Sequence, residues 1–343
     1  MTDVRSMTIE ELKDFFDSLG EKPYRAKQLF HWLHQKKIRS FDEMTDFSKA
    51  LREKLKTEAS LVSLTMVRRQ ESALDGTKKY LFSLPDGKYI ESVFMPYHHG
   101  NSVCVSSQAG CRMGCKFCAS TLDGLERNLT PSEILEQIYE IERDTHERVS
   151  HCVVMGSGEP FDNYDNVVRF LRLITDPEGN DMSVRNITVS TCGLVPGIDA
   201  FAKEDLGVTL ALSLHAPNQA LRETLMPAAK RYDLREVMAA CDRYYESTHR
   251  RMTYEYALMH GINDSLSQAK ELAELLKGRN AHVNLIPVNP VKERDFQKPD
   301  QESISSFLKM LEKNGINATI RRTMGSDIDG ACGQLKYRTA HEA

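Results

Sequence analysis

The first sixty residues place apolar side chains at helical spacing. Leu12, Phe15, Phe16 and Leu19 form a stripe behind Thr8 and Glu11, which stand three apart as a capping box, and Gly20 closes the segment. A second helical stretch, Tyr24 to Ile38, carries Leu29, Phe30, Trp32 and Leu33. From about Leu61 to Met95 the period falls to two. The runs 79–84 and 89–95, on either side of Pro85-Asp86-Gly87, read as the arms of a β-hairpin. From about residue 102, short apolar runs at 103–105, 152–155, 187–189, 208–212, 252–256, 283–286 and 319–320 alternate with helical stretches. Thr130 and Glu133 bracket Pro131 as a capping box at the head of one helix, and Asn263-Asp264-Ser265 opens another. Strand followed by helix, repeated, predicts parallel strands with right-handed crossovers: an α/β domain, either an open doubly wound sheet or a full or partial barrel. No Gly-x-Gly-x-x-Gly follows the first of these strands, which weakens a dinucleotide-binding reading.

A chain of 343 residues accommodates about two domains. The pattern divides it into a helical N-terminal unit (1–58), a β-hairpin connector (59–100) and a large α/β domain (101–343). No apolar run approaches the ~20 residues of a membrane-spanning helix, and the acidic, amphipathic start lacks the features of a secretory signal, so a cytoplasmic location without membrane association is expected. In that compartment the eight cysteines do not read as a disulfide framework, which turns attention to ligands and nucleophiles. A net charge of -4 argues against a uniformly basic surface. Local clusters remain: Lys22, Arg25, Lys27, Lys36, Lys37 and Arg39 near the start, then Arg68-Arg69, Lys78-Lys79 and Arg321-Arg322. Each is either a solvated face or a phosphate contact.

The strongest chemical signal is Cys111, Cys115 and Cys118, a Cys-x3-Cys-x2-Cys run in the loop after the first α/β strand. A [4Fe-4S] cluster normally takes four thiolates, so three leave one iron open to a substrate or cofactor. A structural zinc site would repeat as a second Cys or His pair, and none follows. The spacing resembles the radical S-adenosylmethionine (SAM) superfamily. That resemblance implies one cluster per chain, SAM bound at its open iron and a partial (β/α)6 barrel. Gly158-Glu159-Pro160, Ser190, Ser213-Leu214-His215 and Asn289 all follow strand ends, where α/β barrels place their sites, although each by itself also reads as a turn or cap.

More specifically, the chain resembles the RlmN/Cfr family of radical SAM RNA methyltransferases over nearly its whole length. The likeness runs from Tyr24-Arg25-Ala26-Lys27-Gln28 through Cys104-Val105-Ser106-Ser107-Gln108 to Asp327-Ile328-Asp329-Gly330-Ala331-Cys332. It implies methylation of carbon 2 of adenosine 2503 in 23S rRNA before full ribosome assembly, and of adenosine 37 in some tRNAs, with two SAM consumed per methyl group. Within it, Cys332 corresponds to the methyl-carrying thiolate, Cys104 to the cysteine that resolves the protein–RNA adduct through a disulfide, and Glu91 to the proton acceptor. Cys111, Cys115 and Cys118 correspond to the cluster ligands. Gly158, Glu159, Ser190, Ser213, Leu214, His215 and Asn289 correspond to SAM contacts. An electron donor such as flavodoxin and a thiol reductant such as thioredoxin are implied partners. Taken without the family, Glu91 reads as a solvated strand carboxylate, Cys152 and Cys241 as core residues, and Cys192 as a site-loop thiol. Methylation of carbon 8 of the same adenosine, as in Cfr, is the nearest alternative. An RNA-binding protein with a structural metal site, or a radical SAM enzyme acting on protein or a small molecule, are the others.

Overall fold

In the computed structural model, residues 1–289, 294–328 and 335–336 are described. At the start, β1 (Thr2–Asp3) precedes helices α1 (Ile9–Ser18), α2 (Tyr24–His34) and α3 (Lys49–Glu58), and β2 (Ala59–Ser60) returns to pair with β1 in parallel. The capping box of α1 forms as expected: Thr8 Oγ1 accepts from the Glu11 N–H, and the Glu11 carboxylate accepts from the Thr8 N–H at 2.8 Å. Leu12, Phe15, Phe16, Leu29, Phe30 and Leu33 enter one apolar core continuous with that of the large domain.

This helical layer is fastened to the rest through charge. Arg5, fully buried, pairs with Glu136 and donates to the carbonyl of Ile38, while the buried His34 ring meets the Tyr139 hydroxyl at 3.0 Å. Lys27 pairs with Glu178, Lys37 with Glu142 and Arg39 with Glu140. Three cations of the N-terminal basic cluster thus face acidic groups of the large domain, because that cluster lies along the seam. Arg69 with Asp144 continues the seam, while Lys78 with Glu71 and Lys79 with Glu91 pair within the connector.

The connector is a meander of β3 (Thr65–Glu71), β4 (Lys78–Ser83) and β5 (Tyr89–Tyr97), one strand more than a hairpin, and it continues antiparallel into β6 (Gly100–Cys104). A short ribbon, β7 (Gln108–Gly110) with β8 (Leu125–Asn128), carries the three-cysteine loop. The α/β alternation then follows: α4 (Pro131–Thr145), β9 (Val149–Val154), α5 (Tyr164–Thr175), β10 (Ile187–Thr191), α6 (Val195–Phe201), β11 (Thr209–Ser213), α7 (Gln219–Leu225), α8 (Leu234–Thr248), β12 (Met252–Leu258), α9 (Leu266–Leu276), β13 (Ala281–Pro287), α10 (Gln301–Lys313) and β14 (Asn317–Ile320). One ten-stranded sheet runs β14-β13-β12-β11-β10-β9-β6-β5-β4-β3, parallel from β6 to β14. β6 is where pairing changes from antiparallel to parallel. Six β/α units, from β6 to α10, make the partial barrel, and β14 adds a further parallel strand. Among the described residues β3 and β14 do not pair with each other, so the sheet is open. No helix is long and apolar enough to cross a membrane among those residues.

Candidate active site

Local backbone geometry shapes the cysteine loop. Gly110 has φ +75°, and a Cβ there would stand 2.0 Å from the Gly124 carbonyl oxygen, the same atom that accepts from the Cys111 N–H at 2.8 Å. Thr121 Oγ1 donates to the carbonyls of Cys115 and Cys118, and the Lys116 N–H donates to Leu225 at the end of α7. Cys111, Cys115 and Cys118 all line one cavity of about 310 Å³ at the C-terminal ends of the parallel strands. Burial pushes the Cys111 thiol up to about 12, and the Cys115 thiol upward as well, with the neighbouring thiols adding to both shifts. Among the described residues no group of three or more His, Cys, Asp or Glu converges on a single metal-ion position. A [4Fe-4S] cluster takes each thiolate on a different iron, so three thiols bordering one cavity fit it, and metal binding supplies the charge that lets buried thiols lose their protons.

Gly158, Glu159, Ser190, Ser213, His215 and Asn289 line the same cavity. Gly158 has φ +113°, and a Cβ there would come within 2.6–2.8 Å of Ser107 and Gln108, so the strand end is held against the β6–β7 segment by a position open only to glycine. Glu159 spends both carboxylate oxygens on the protein, accepting from the N–H of Phe161 at 3.1 Å and of Cys192 at 2.8 Å. Burial raises its pKa. The hydroxyls of Ser190 and Ser213 lie 3.2 Å apart. His215 Nδ1 accepts from the Ala257 N–H at 2.9 Å, which fixes the ring proton on Nε2; burial, with the Arg222 charge, pushes its pKa down to about 3. The ring is a neutral, oriented donor.

Two expectations change. Leu214 does not line the cavity: it is fully buried in the apolar core, because side chains alternate and Ser213 and His215 hold the inward positions. Glu91 is not solvated. It is 3% exposed, with Lys79 Nζ at 2.7 Å from Oε2 and the Lys336 N–H at 2.6 Å from Oε1. It also stands outside the cavity lining, two residues along β5 from Val93, which does line it. Cys192 is buried beside Ala216, Leu225 and Met226, and burial pushes its thiol well above the ordinary range, so it is not a reactive thiol. Cys152 and Cys241 are core residues, as expected.

Cys104 ends β6 opposite Val93, in an apolar cluster with Met95 against which Met155 and Met324 pack, and it reaches the cavity. Cys332 lies outside the described residues, as do Asp329, Gly330 and Ala331. Both flanks of that motif touch the meander: Asp327 accepts from the Ser72 hydroxyl at 2.5 Å and the Ala73 N–H at 2.9 Å, and Lys336 meets Glu91. Sequence reading missed Glu255. It lines the cavity from β12, accepts from Asn284 at 2.9 Å, and is pushed up to about 7 by burial, with Arg321 acting the other way. A lone carboxylate inside an apolar parallel strand was the available signal.

Known proteins resemble this chain over nearly its whole length. Residues 2–61 match the ribosomal RNA large subunit methyltransferase N-terminal domain, and residues 105–276 match the radical SAM superfamily. A protein from Lachnospira eligens named "Probable dual-specificity RNA methyltransferase RlmN" is 58% identical over 98% of this chain and 97% of its own length. A protein of the same name from Thermoanaerobacter sp. is 48% identical over the full length of both chains. Among solved structures, a radical SAM methyltransferase from Sphaerobacter thermophilus superposes with a TM-score of 0.93 at 44% identity, covering 97% of this chain and 99% of that one.

Proposed function

The chain belongs to the RlmN family of radical SAM RNA methyltransferases, and from that premise we propose that it methylates carbon 2 of adenosine 2503 in 23S rRNA and of adenosine 37 in some tRNAs, in the cytoplasm. The observation that carries this reading is one cavity bordered at once by Cys111, Cys115 and Cys118, by the Gly158–Glu159, Ser190, Ser213 and His215 positions, and by Cys104. The dual-specificity name shared by the relatives supports two RNA substrates.

Carbon 2 of adenine lies between two ring nitrogens and is too electron-poor to attack a methyl sulfonium, so an ionic transfer does not suffice. Cluster and SAM, when bound, supply a one-electron cleavage that yields a hydrogen-abstracting radical. Cys332 contributes a thiolate that takes a methyl group from a first SAM by displacement and presents it to the base. Once that methyl group, stripped of one hydrogen by the radical, has bonded to carbon 2, Glu91 is the acceptor of the ring proton by its family correspondence, a role that requires its carboxylate to be released from Lys79 and the Lys336 N–H. Cys104 then attacks the Cys332 sulfur: the sulfur–carbon bond to the transferred methylene breaks, that carbon takes up a proton to become the methyl group, the two sulfurs join as a disulfide, and the one electron left over would pass to the cluster. A thioredoxin-type dithiol reduces that disulfide each turnover, and a flavodoxin-type protein supplies the electron for SAM cleavage. His215 contributes its fixed Nε2–H, and the residues of the cavity wall keep water from the reacting groups. Arg321 and Arg322, at the cavity edge, meet the RNA backbone.

Two variants test the assignment in anaerobically reconstituted enzyme. Cys332→Ala retains reductive SAM cleavage and loses RNA methylation. Cys104→Ala accumulates a covalent protein–RNA adduct that survives denaturing electrophoresis. Normal methylation by Cys332→Ala overturns the reading.

A further inference from the structure

We propose that Glu255 binds the ribose hydroxyls of SAM, an assignment that rests on the reading of the cavity as a SAM site. Strand order supports it. The cysteine loop and Gly158–Glu159 follow β6 and β9; β10 then contributes Ser190, β11 contributes Ser213 and His215, β12 contributes Glu255, and Asn289 follows β13. All of these positions border the one cavity, and the cysteine loop itself reaches across to His215, with the Phe117 ring 4.8 Å from the His215 ring. SAM has its amino acid at one end, ribose in the middle and adenine at the other end. With the amino and carboxylate groups held at the cysteines, the ribose would have Ser213 and Glu255 side by side on one wall of the cavity, where they are register partners on β11 and β12.

The side chain is oriented for this contact. Its neighbours Tyr254 and Tyr256 are buried on the helix-facing side, Tyr256 with its ring 5.3 Å from that of Phe307, so alternation turns Glu255 and Ala257 into the barrel. Asn284 Nδ2 donates to Oε2 at 2.9 Å and fixes the carboxyl plane. Oε1 takes no hydrogen bond from the described residues, although Glu255 is only 5% exposed and borders the cavity. An acceptor oxygen on a residue that borders the cavity is left to whatever fills the cavity, and a ribose hydroxyl is a donor suited to it. The backbone carbonyl of Glu255 accepts from the N–H groups of both Leu214 and His215, so the same residue holds the neighbouring loop of the site.

The test compares SAM with 2′-deoxy-SAM and 3′-deoxy-SAM by equilibrium binding to the reconstituted holoenzyme, with the electron paramagnetic resonance change of the reduced cluster reporting ligation of the amino acid end. Wild type is expected to bind at least one deoxy analogue about tenfold more weakly, the scale of a hydrogen bond to a charged group. Glu255→Met is expected to bring all three ligands within about twofold of one another while leaving the resonance change intact, and Glu255→Gln to give an intermediate loss. Wild type that fails to bind SAM overturns the reading of the cavity. Wild type that binds SAM but treats the three alike overturns the role of Glu255 alone, as does a Glu255 variant that keeps full discrimination.

Discussion

Lys79 Nζ stands 2.7 Å from Glu91 Oε2, and neither side chain is more than 3% exposed. The two residues are diagonal neighbours on one face of β4 and β5: Lys79 lies opposite Val93, and Leu81 lies opposite Glu91. A carboxylate this far out of water relies on the ammonium beside it to offset the cost of burial. Replacing Lys79 by Met removes that cation, with an expected loss of about 3–5 kcal/mol of stability. Lys79→Met with Glu91→Leu removes both charges and recovers most of that loss. Urea unfolding of the three proteins checks this, and additive losses in the double variant contradict it.

Gly158→Ala puts a methyl group against Ser107 and Gln108 and forces φ +113° on a residue that rarely adopts it. Roughly 1–3 kcal/mol of strain is expected. Because the strain falls on a strand end bordering the cavity, SAM affinity drops in this variant, whereas Gly278→Ala, on a surface turn with open space around it, leaves SAM affinity unchanged. Equilibrium binding to both variants makes the comparison.

His34 is fully buried, burial and the Arg5 charge push its pKa down to about 3, and its Nε2 has no partner among the described residues. Unfolded, the ring titrates near 6.5, so the unfolded chain takes up a proton that the folded chain refuses. Its contribution is fully present above pH 6.5 and is lost progressively as pH falls from there toward 3, a few kcal/mol in all. In His34→Gln the fall in urea midpoint between pH 7 and pH 5 is smaller than in wild type. An identical fall assigns the acid sensitivity to other groups.

What the sequence made legible was local. The three cysteines fall within eight residues, so their spacing alone carries cluster chemistry, and the Thr130 capping box was visible because Thr130 and Glu133 satisfy each other across one turn. Gly158 was legible through its place after a strand. Glu91 was misread because what buries it is a lysine on the neighbouring strand, set by register and not by sequence distance. The N-terminal lysines and arginines were ambiguous for the same reason: Glu140, Glu142 and Glu178 lie more than a hundred residues away. Leu214 was carried along with its polar neighbours until alternation placed it in the core. Glu255 gave only the faint signal of one acid in an apolar strand.

The most direct measurement maps the 23S rRNA of a strain that lacks its own adenosine-2503 methyltransferase and expresses this chain. Mass spectrometry of the nuclease fragment spanning adenosine 2503 is expected to show 2-methyladenosine with wild type and unmodified adenosine with Cys332→Ala. 8-Methyladenosine without 2-methyladenosine, or a methyl group that persists in Cys332→Ala, contradicts the account.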